Sequence, residues 1–196
     1  MSSLASQIKI SNMALTGLGA DRIINLADQS ENARRINAVW DLLRDEVLRS
    51  HTWNFATERR SFGLLAAAPE YYFTSAFQIP GDVLRLIESE NDEEWAVEGD
   101  KVLTNGTSFK AKCIIRVTDV TKWDTVFVAV FSARLEAELA YGITNSRSIQ
   151  ADRWELYSAK IRGCKGYNAQ EGSQKVLEAD AWINSRSGGE SGPLAG

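Results

Sequence analysis

The chain has 196 residues and a formal net charge of -4, with basic and acidic residues interspersed along its length. This pattern argues against a protein that wraps nucleic acid tightly, because such proteins concentrate basic residues on one face. The two cysteines, Cys113 and Cys164, cannot make a disulfide framework, and no apolar run is long enough to cross a bilayer. We therefore expect a soluble protein that is not exported, whose length allows a sizeable core in one domain.

A first helix is predicted over residues 3–18, where Leu4, Ile8, Leu15 and Leu18 recur at helical spacing. The Gly17-Leu18-Gly19 sequence is typical of a helix end.

The longest helical pattern in the sequence follows it, from Asp28 to Trp53. Its apolar residues recur every three or four positions and share one side of a helix: Ala33, Ile36, Trp40, Leu43 and Val47, widened by Val39 and Leu42. Asp28 and Glu31 have the spacing of a capping box, which predicts a helix over residues 29–52. We expect the rest of the chain to pack around this helix and its charged residues to face solvent.

A β section is predicted over residues 54–118, where five or six short apolar runs are separated by turn residues. The predicted strands include 72–79, 83–89, 95–98, 101–104 and 112–118. Gly99-Asp100 and Asn105-Gly106 are predicted hairpin turns, because these residues tolerate positive φ. Their order predicts an antiparallel meander.

Two more helices are predicted over residues 122–145 and 148–166. Alanines on one side of the third helix allow another helix to approach closely, which predicts a tightly packed bundle. The fourth helix is expected to begin at Ser148 and to bury four residues: Trp154, Tyr157, Ile161 and Cys164. The predicted fold class is α+β, a four-helix bundle with a small antiparallel β section inserted between helices 2 and 3.

The predicted domain covers residues 1–171, and residues 172–196 form an extended C-terminal tail rich in small and polar residues. Four apolar residues interrupt this composition and are our candidate interface with another subunit or a partner protein: Val176, Leu177, Trp182 and Ile183. Packing of the same residues on their own subunit is the alternative that the sequence leaves open.

The sequence offers no combination of residues that predicts catalysis. The single histidine, His51, has no nucleophile or carboxylate at a meaningful spacing, and we interpret it as structural. Paired carboxylates at Asp41/Asp45 and Glu136/Glu138 are typical of solvated helix faces. The arginine pairs Arg34-Arg35 and Arg59-Arg60 are typical of surface ion pairs. We therefore expect no enzyme activity, no cofactor and no metal site.

Several segments, taken in order, carry a resemblance to a known family. They are SNMALTGLGADRIINLAD, ENARRINAVWDLLRDEVLRSHTWNFA, AFQIPGDVLRLI, WDTVFVAVFSARLEAELAYGIT and NAQEGSQKVL. Over about residues 11–182 the chain resembles the tail tubular protein A family, the head-to-tail adaptors of short-tailed bacteriophages. The ordered set carries the resemblance, above all the WNFA and QIPGDVLRL sequences.

The resemblance implies a structural virion protein located in the tail connector and assembled in the host cytoplasm. It implies a ring, commonly a dodecamer, between the portal protein and the tail nozzle protein. The portal protein is thereby also a candidate partner of the interface residues Val176, Leu177, Trp182 and Ile183. Duplex DNA would pass through the lumen during ejection without sequence-specific binding, and no membrane partner is expected. A sequence-tolerant nucleic-acid-binding module is the alternative function, and an unrecognised enzyme is a third.

Overall fold

The computed structural model describes residues 6–90 and 94–170, with no side-chain description from residue 165 onward. Its four helices are α1 Gln7–Gly17, α2 Glu31–Ser50, α3 Thr125–Thr144 and α4 Arg147–Gln170. Six strands lie between α2 and α3: β1 Thr57–Leu64, β2 Ser75–Gln78, β3 Val83–Ser89, β4 Trp95–Glu98, β5 Lys101–Thr104 and β6 Phe109–Ile115. Short 3-10 helices at Asn54–Ala56 and Val120–Lys122 connect this sheet to α2 and α3.

Helix α2 buries the predicted stripe, including Trp40 and Leu43, but Leu42 is 71% exposed and does not widen it. The predicted cap at Asp28 is wrong. Ser30 caps the helix, because its Oγ accepts a hydrogen bond from the Ala33 N–H at 3.3 Å. The Asp28 carboxylate instead accepts from the Ile24 and Asn25 N–H groups and closes the turn that precedes the helix.

Helix α3, and not α2, is the centre of the helical part. It packs against each of the other three helices, and every residue from Val130 to Ala137 is buried. Eight consecutive buried residues cover more than two helical turns, so neighbours must surround α3 on all sides. Its N-cap is Asp124, whose carboxylate accepts from the Val126 N–H at 2.6 Å.

Helix α4 packs along α3 but begins one residue before the predicted Ser148. The Ser146 Oγ accepts from the Ile149 N–H and so supplies the cap. Tyr157 and Cys164 are buried as predicted, whereas Trp154 lies at the surface.

The six strands form one antiparallel sheet in the order β3-β6-β1-β2-β5-β4, so the predicted meander is wrong. Gly99, with φ +60°, sits in the tight turn between the paired strands β4 and β5. The predicted hairpin at Asn105-Gly106 does not exist, because β5 and β6 are separated in the sheet by β1 and β2.

The sheet is strongly curled. Phe109 on β6 and Trp95 on β4 are four strands apart, which in a flat sheet would be about 19 Å. Their ring centroids are only 6.0 Å apart. The curl encloses a core separate from that of the helices, formed by Phe62, Phe77, Val102, Phe109, Ala111 and Cys113.

The predicted four-helix bundle with a small β section is therefore wrong. Three helices surround α3, and the six strands form a curled half-barrel with its own hydrophobic core. The prediction failed because the strand pairings are non-local: β6 inserts between β3 and β1, strands it does not follow in sequence.

Candidate functional site

The predicted interface residues Val176, Leu177, Trp182 and Ile183 lie outside the described residues. The described part of the chain offers a different candidate surface at the end of β1, which we call the apolar tip: Leu64, Tyr71 and Tyr72. All three side chains are exposed, Tyr71 by 84%. Sequence reasoning missed this surface because it placed Tyr72 in a strand, whereas β2 begins only at Ser75.

The loop that carries the apolar tip is held in place by specific contacts. Tyr72 has a φ of +67°, which is unusual for a bulky residue and costs roughly 1–3 kcal/mol. Its phenol donates a hydrogen bond to the Glu94 carboxylate at 3.0 Å, which raises the pKa of Tyr72. The Thr74 N–H donates to Asn105 at 3.1 Å. These contacts hold the Tyr72 ring and the main chain of the loop beside it.

The apolar tip lies far from the helices. At the start of β1, Thr57 pairs with Ile114, which belongs to the core of the helical part. Leu64 follows seven residues later, about 23 Å along the strand. A cavity of about 580 Å³ beside the loop is lined by residues 67–73 and by the turn between β4 and β5. This end of the sheet therefore combines exposed aromatic rings with a concave surface, as docking sites commonly do.

Ion pairs and a cation–π contact of Arg134, whose side chain is only 7% exposed, join α2, α3 and α4. Its guanidinium donates to Glu46 of α2 at 3.0 Å and to Glu138 at 2.8 Å. It also stacks over the Trp154 ring, 4.4 Å from the centroid. Burial acts to lower the pKa of Arg134, but the hydrogen bonds to the two glutamates outweigh it and raise that pKa.

A second network joins α2 to the sheet. Arg44, which the sequence placed on a solvated face, is buried and donates to Asp41 at 2.6 Å and Asp45 at 2.9 Å. Arg116 donates to Asp45 at 2.8 Å and to the Gly81 carbonyl at 2.9 Å. Both carboxylates are thus engaged by arginines, and their arrangement positions the sheet against α2.

Glu136 is buried in the helical part, 8% exposed, with Arg153 at 3.7 Å. Its carboxylate packs against Gly17, where an added Cβ would lie 2.7 Å from the Glu136 side chain. Burial raises the pKa of Glu136, although the charges of Arg153 and Lys160 act to lower it. Glu136 and Glu138 therefore have separate partners and do not form an acid-base pair.

This buried carboxylate predicts a pH-dependent effect of Glu136→Gln. The folded protein holds the Glu136 proton more tightly than the unfolded chain. Its contribution to stability therefore falls as pH rises from about 4.3, the unfolded pKa, through the raised folded pKa. Glutamine does not ionise, so its contribution to stability does not change with pH. We expect the variant to gain free energy of unfolding relative to the natural protein over this interval, and the difference to level off above it. Urea denaturation at several pH values measures this, and a difference independent of pH would contradict it.

The remaining candidate residues from the sequence are the histidine and the two cysteines. The His51 ring packs edge-on against Trp53, with centroids 4.9 Å apart. Cys113 and Cys164 are free and buried, and burial raises the pKa of both thiols. Among the described residues, no three His, Cys, Asp or Glu side chains are grouped so that they could hold a metal ion.

One arginine of each pair is engaged by acidic groups. Arg60 donates to Glu58 at 2.8 Å and to Asp82 at 2.7 Å, and these bonds raise its pKa. Arg35 contacts Glu31 and the Gly142 carbonyl. On the sheet, Arg59 lies opposite Lys112, but Glu88 faces Lys112 from β3. Basic and acidic residues are thus mixed on this surface.

No family model matches the chain, and no curated protein matches it. None of the helices within residues 6–90 and 94–170 has both the length and the apolar character needed to cross a membrane.

Proposed function

We propose that this chain is a subunit of a head-to-tail adaptor of the tail tubular protein A type. In this proposal it forms a ring, commonly of twelve copies, that joins the portal protein to the tail nozzle protein. The ring forms part of the channel through which DNA is ejected. The observation that carries the proposal is the ordered set of segments that resembles this family over about residues 11–182.

Two features of the structure support a mechanical role of this kind. The Arg134 network ties three helices together, and the Arg44 and Arg116 contacts tie the sheet to α2. The Arg49 guanidinium adds a bond to the Leu84 carbonyl of β3. Force applied at the sheet would therefore reach the helices through several charged contacts and not through a single hinge.

The apolar tip supplies a surface for a protein partner. Exposed tyrosines are frequent energetic centres of interfaces, because they bury a large area with little loss of side-chain freedom. We assign the tip to the nozzle protein and the helices to contacts between neighbouring copies. A net charge of -4 per chain would discourage the ring from gripping the DNA phosphates in transit.

Replacing Tyr71 with serine tests the role of the tip. Because Tyr71 is 84% exposed, the substitution should change the free energy of unfolding by no more than about 0.5 kcal/mol. Binding of the nozzle protein of the same phage should weaken about tenfold or more, the effect of losing an interface tyrosine worth at least about 1.4 kcal/mol.

Leu42→Ser is the matched control, since Leu42 is an exposed apolar residue of α2 on another part of the surface. It should leave the affinity for the nozzle protein unchanged. Equal affinities of the Tyr71 variant and the natural protein, measured by surface plasmon resonance, would refute the assignment of the tip to the nozzle.

A further inference from the structure

Two adjoining cavities form one groove along α3. The larger, about 660 Å³, lies between α1, α3 and α4, and the smaller, about 420 Å³, lies between the start of α3 and the end of α4. Ala129 and Lys160 line both cavities, so the two adjoin at the Lys160 side chain, whose Nζ donates to the Ala129 carbonyl at 3.3 Å. We call this surface the α3 groove. It extends from Cys164 at one end to Arg22 at the other.

The α3 groove is apolar at one end and cationic at the other. Val126, Val130 and Cys164 line the smaller cavity. Lys9, Arg22 and Lys160 line the larger one, and within the described residues none of the three has a carboxylate within salt-bridge distance. The carboxylate that lines it, Glu136, is paired with Arg153. An occupant should therefore combine large apolar side chains with acidic ones.

Residues 176–183 of this chain have this chemistry. The sequence VLEADAWI contains four large apolar residues and two acidic residues, Glu178 and Asp180, with no basic residue. In an extended conformation Leu177 and Ile183 would lie on one side, and Glu178 and Asp180 on the other with Val176 and Trp182. The match with the groove therefore lies in composition and charge.

The position of the segment in the chain also suits the groove. The described part of α4 extends to Gln170, and Cys164 lies six residues earlier, about 9 Å back along the axis. Five residues connect Gln170 to Val176 and can span about 20 Å between these two Cα atoms. Gly172 is available to reverse the chain direction after α4. The connection is thus long enough to return the segment to the groove of its own molecule.

We propose that residues 176–183 dock in the α3 groove of the same chain. Their apolar side chains pack on the apolar lining of the groove, and Glu178 and Asp180 face the cations Lys9, Arg22 and Lys160. The inference does not depend on ring formation, because groove and segment belong to one molecule.

Cysteine cross-linking of the full chain tests this docking. Cys113 and Cys164 are replaced by alanine, and Ala129→Cys on the groove floor is combined with Ala181→Cys, which leaves the apolar anchors in place. Under mild oxidation, at concentrations where the protein is monomeric, we expect an intramolecular disulfide whose rate of formation does not depend on protein concentration. Ala129→Cys with Ser191→Cys, beyond the segment, is the control and should cross-link at least tenfold more slowly.

Two cross-linking results would overturn the proposal. Equal rates in the test and control pairs would show that the segment is not held at the groove. Covalent dimers that increase with concentration would place it on another copy of the chain.

Proteolysis of the natural protein gives a second measurement that requires no cysteine variant. Trypsin can cut after Lys175, next to the segment, and after Arg186, beyond it. In the monomer we expect cleavage after Lys175 to be at least tenfold slower than after Arg186. The Lys160→Glu substitution, which puts a negative charge in the groove, should reduce this difference. Equal cleavage at both sites in the natural protein would overturn the docking.

Discussion

Replacing Trp40 with alanine should lower the free energy of unfolding by about 3–5 kcal/mol. The indole of Trp40 is buried between helices, stacked on Trp123 at 6.0 Å and edge-on to Phe131 at 4.7 Å between ring centroids. Alanine would remove these aromatic contacts and leave a cavity that the surrounding rings could fill only in part. Urea denaturation followed by circular dichroism measures the change.

Leu42→Ala is the matched control on the same helix. Its side chain is 71% exposed, so its removal should change the free energy of unfolding by no more than about 0.5 kcal/mol. Similar losses in the two variants would show that the buried side of α2 has been assigned wrongly.

The effect of Trp40 should extend beyond α2, because its ring belongs to a cluster that joins the helices to the sheet connections. Trp123 follows the sheet and contacts Phe127 of α3 at 4.8 Å. Trp53, just after α2, contacts Phe127 at 5.0 Å. Each of these two indoles also donates a hydrogen bond to a main-chain carbonyl, at Val117 and Val47. Loss of Trp40 should therefore destabilise the helices and the sheet together, in one cooperative unfolding transition.

Removing both acceptors of Arg134 should cost more stability than removing Arg134 itself. In the double variant Glu46→Ala with Glu138→Ala, the guanidinium stays buried without a carboxylate. The expected cost is about 3 kcal/mol, at the lower end for a broken buried ion pair. In Arg134→Met the two glutamates, which are partly exposed, can be hydrated. The methionine keeps much of the packing against Trp154, so we expect a loss of about 1–2 kcal/mol.

Chemical denaturation of the natural protein and both variants at the same ionic strength provides the comparison. The triple variant, with Arg134→Met added to the two alanines, should recover part of the stability lost in the double variant. A double variant as stable as Arg134→Met would contradict the view that Arg134 needs its carboxylates to remain buried.

The sequence predicted the local features well because they depend on local spacing. The apolar stripe of α2 follows from the helical repeat, and the turn at Gly99 follows from its tolerance of positive φ. The central position of α3 was harder to predict. Its alanines indicated close packing but did not say how many helices would approach it.

Non-local pairings account for most of what the sequence did not predict. Arg134 and its partner Glu46 are 88 residues apart, and each separately has the pattern of a solvated helix charge. Similarly, the contact between Phe109 and Trp95 depends on the curl of the whole sheet. The apolar tip was missed because an exposed Tyr-Tyr pair in a loop has the same local composition as a strand.

Electron cryomicroscopy of the purified full chain, alone and mixed with a portal protein encoded in the same genome, tests the adaptor proposal most directly. The proposal predicts closed rings, commonly of twelve copies, with a central opening wide enough for duplex DNA. It also predicts that the helices pack side by side and that every apolar tip lies on the ring face opposite the portal. Particles that remain monomeric in the presence of the portal, or that form a ring with the tips buried between neighbouring copies, would contradict it.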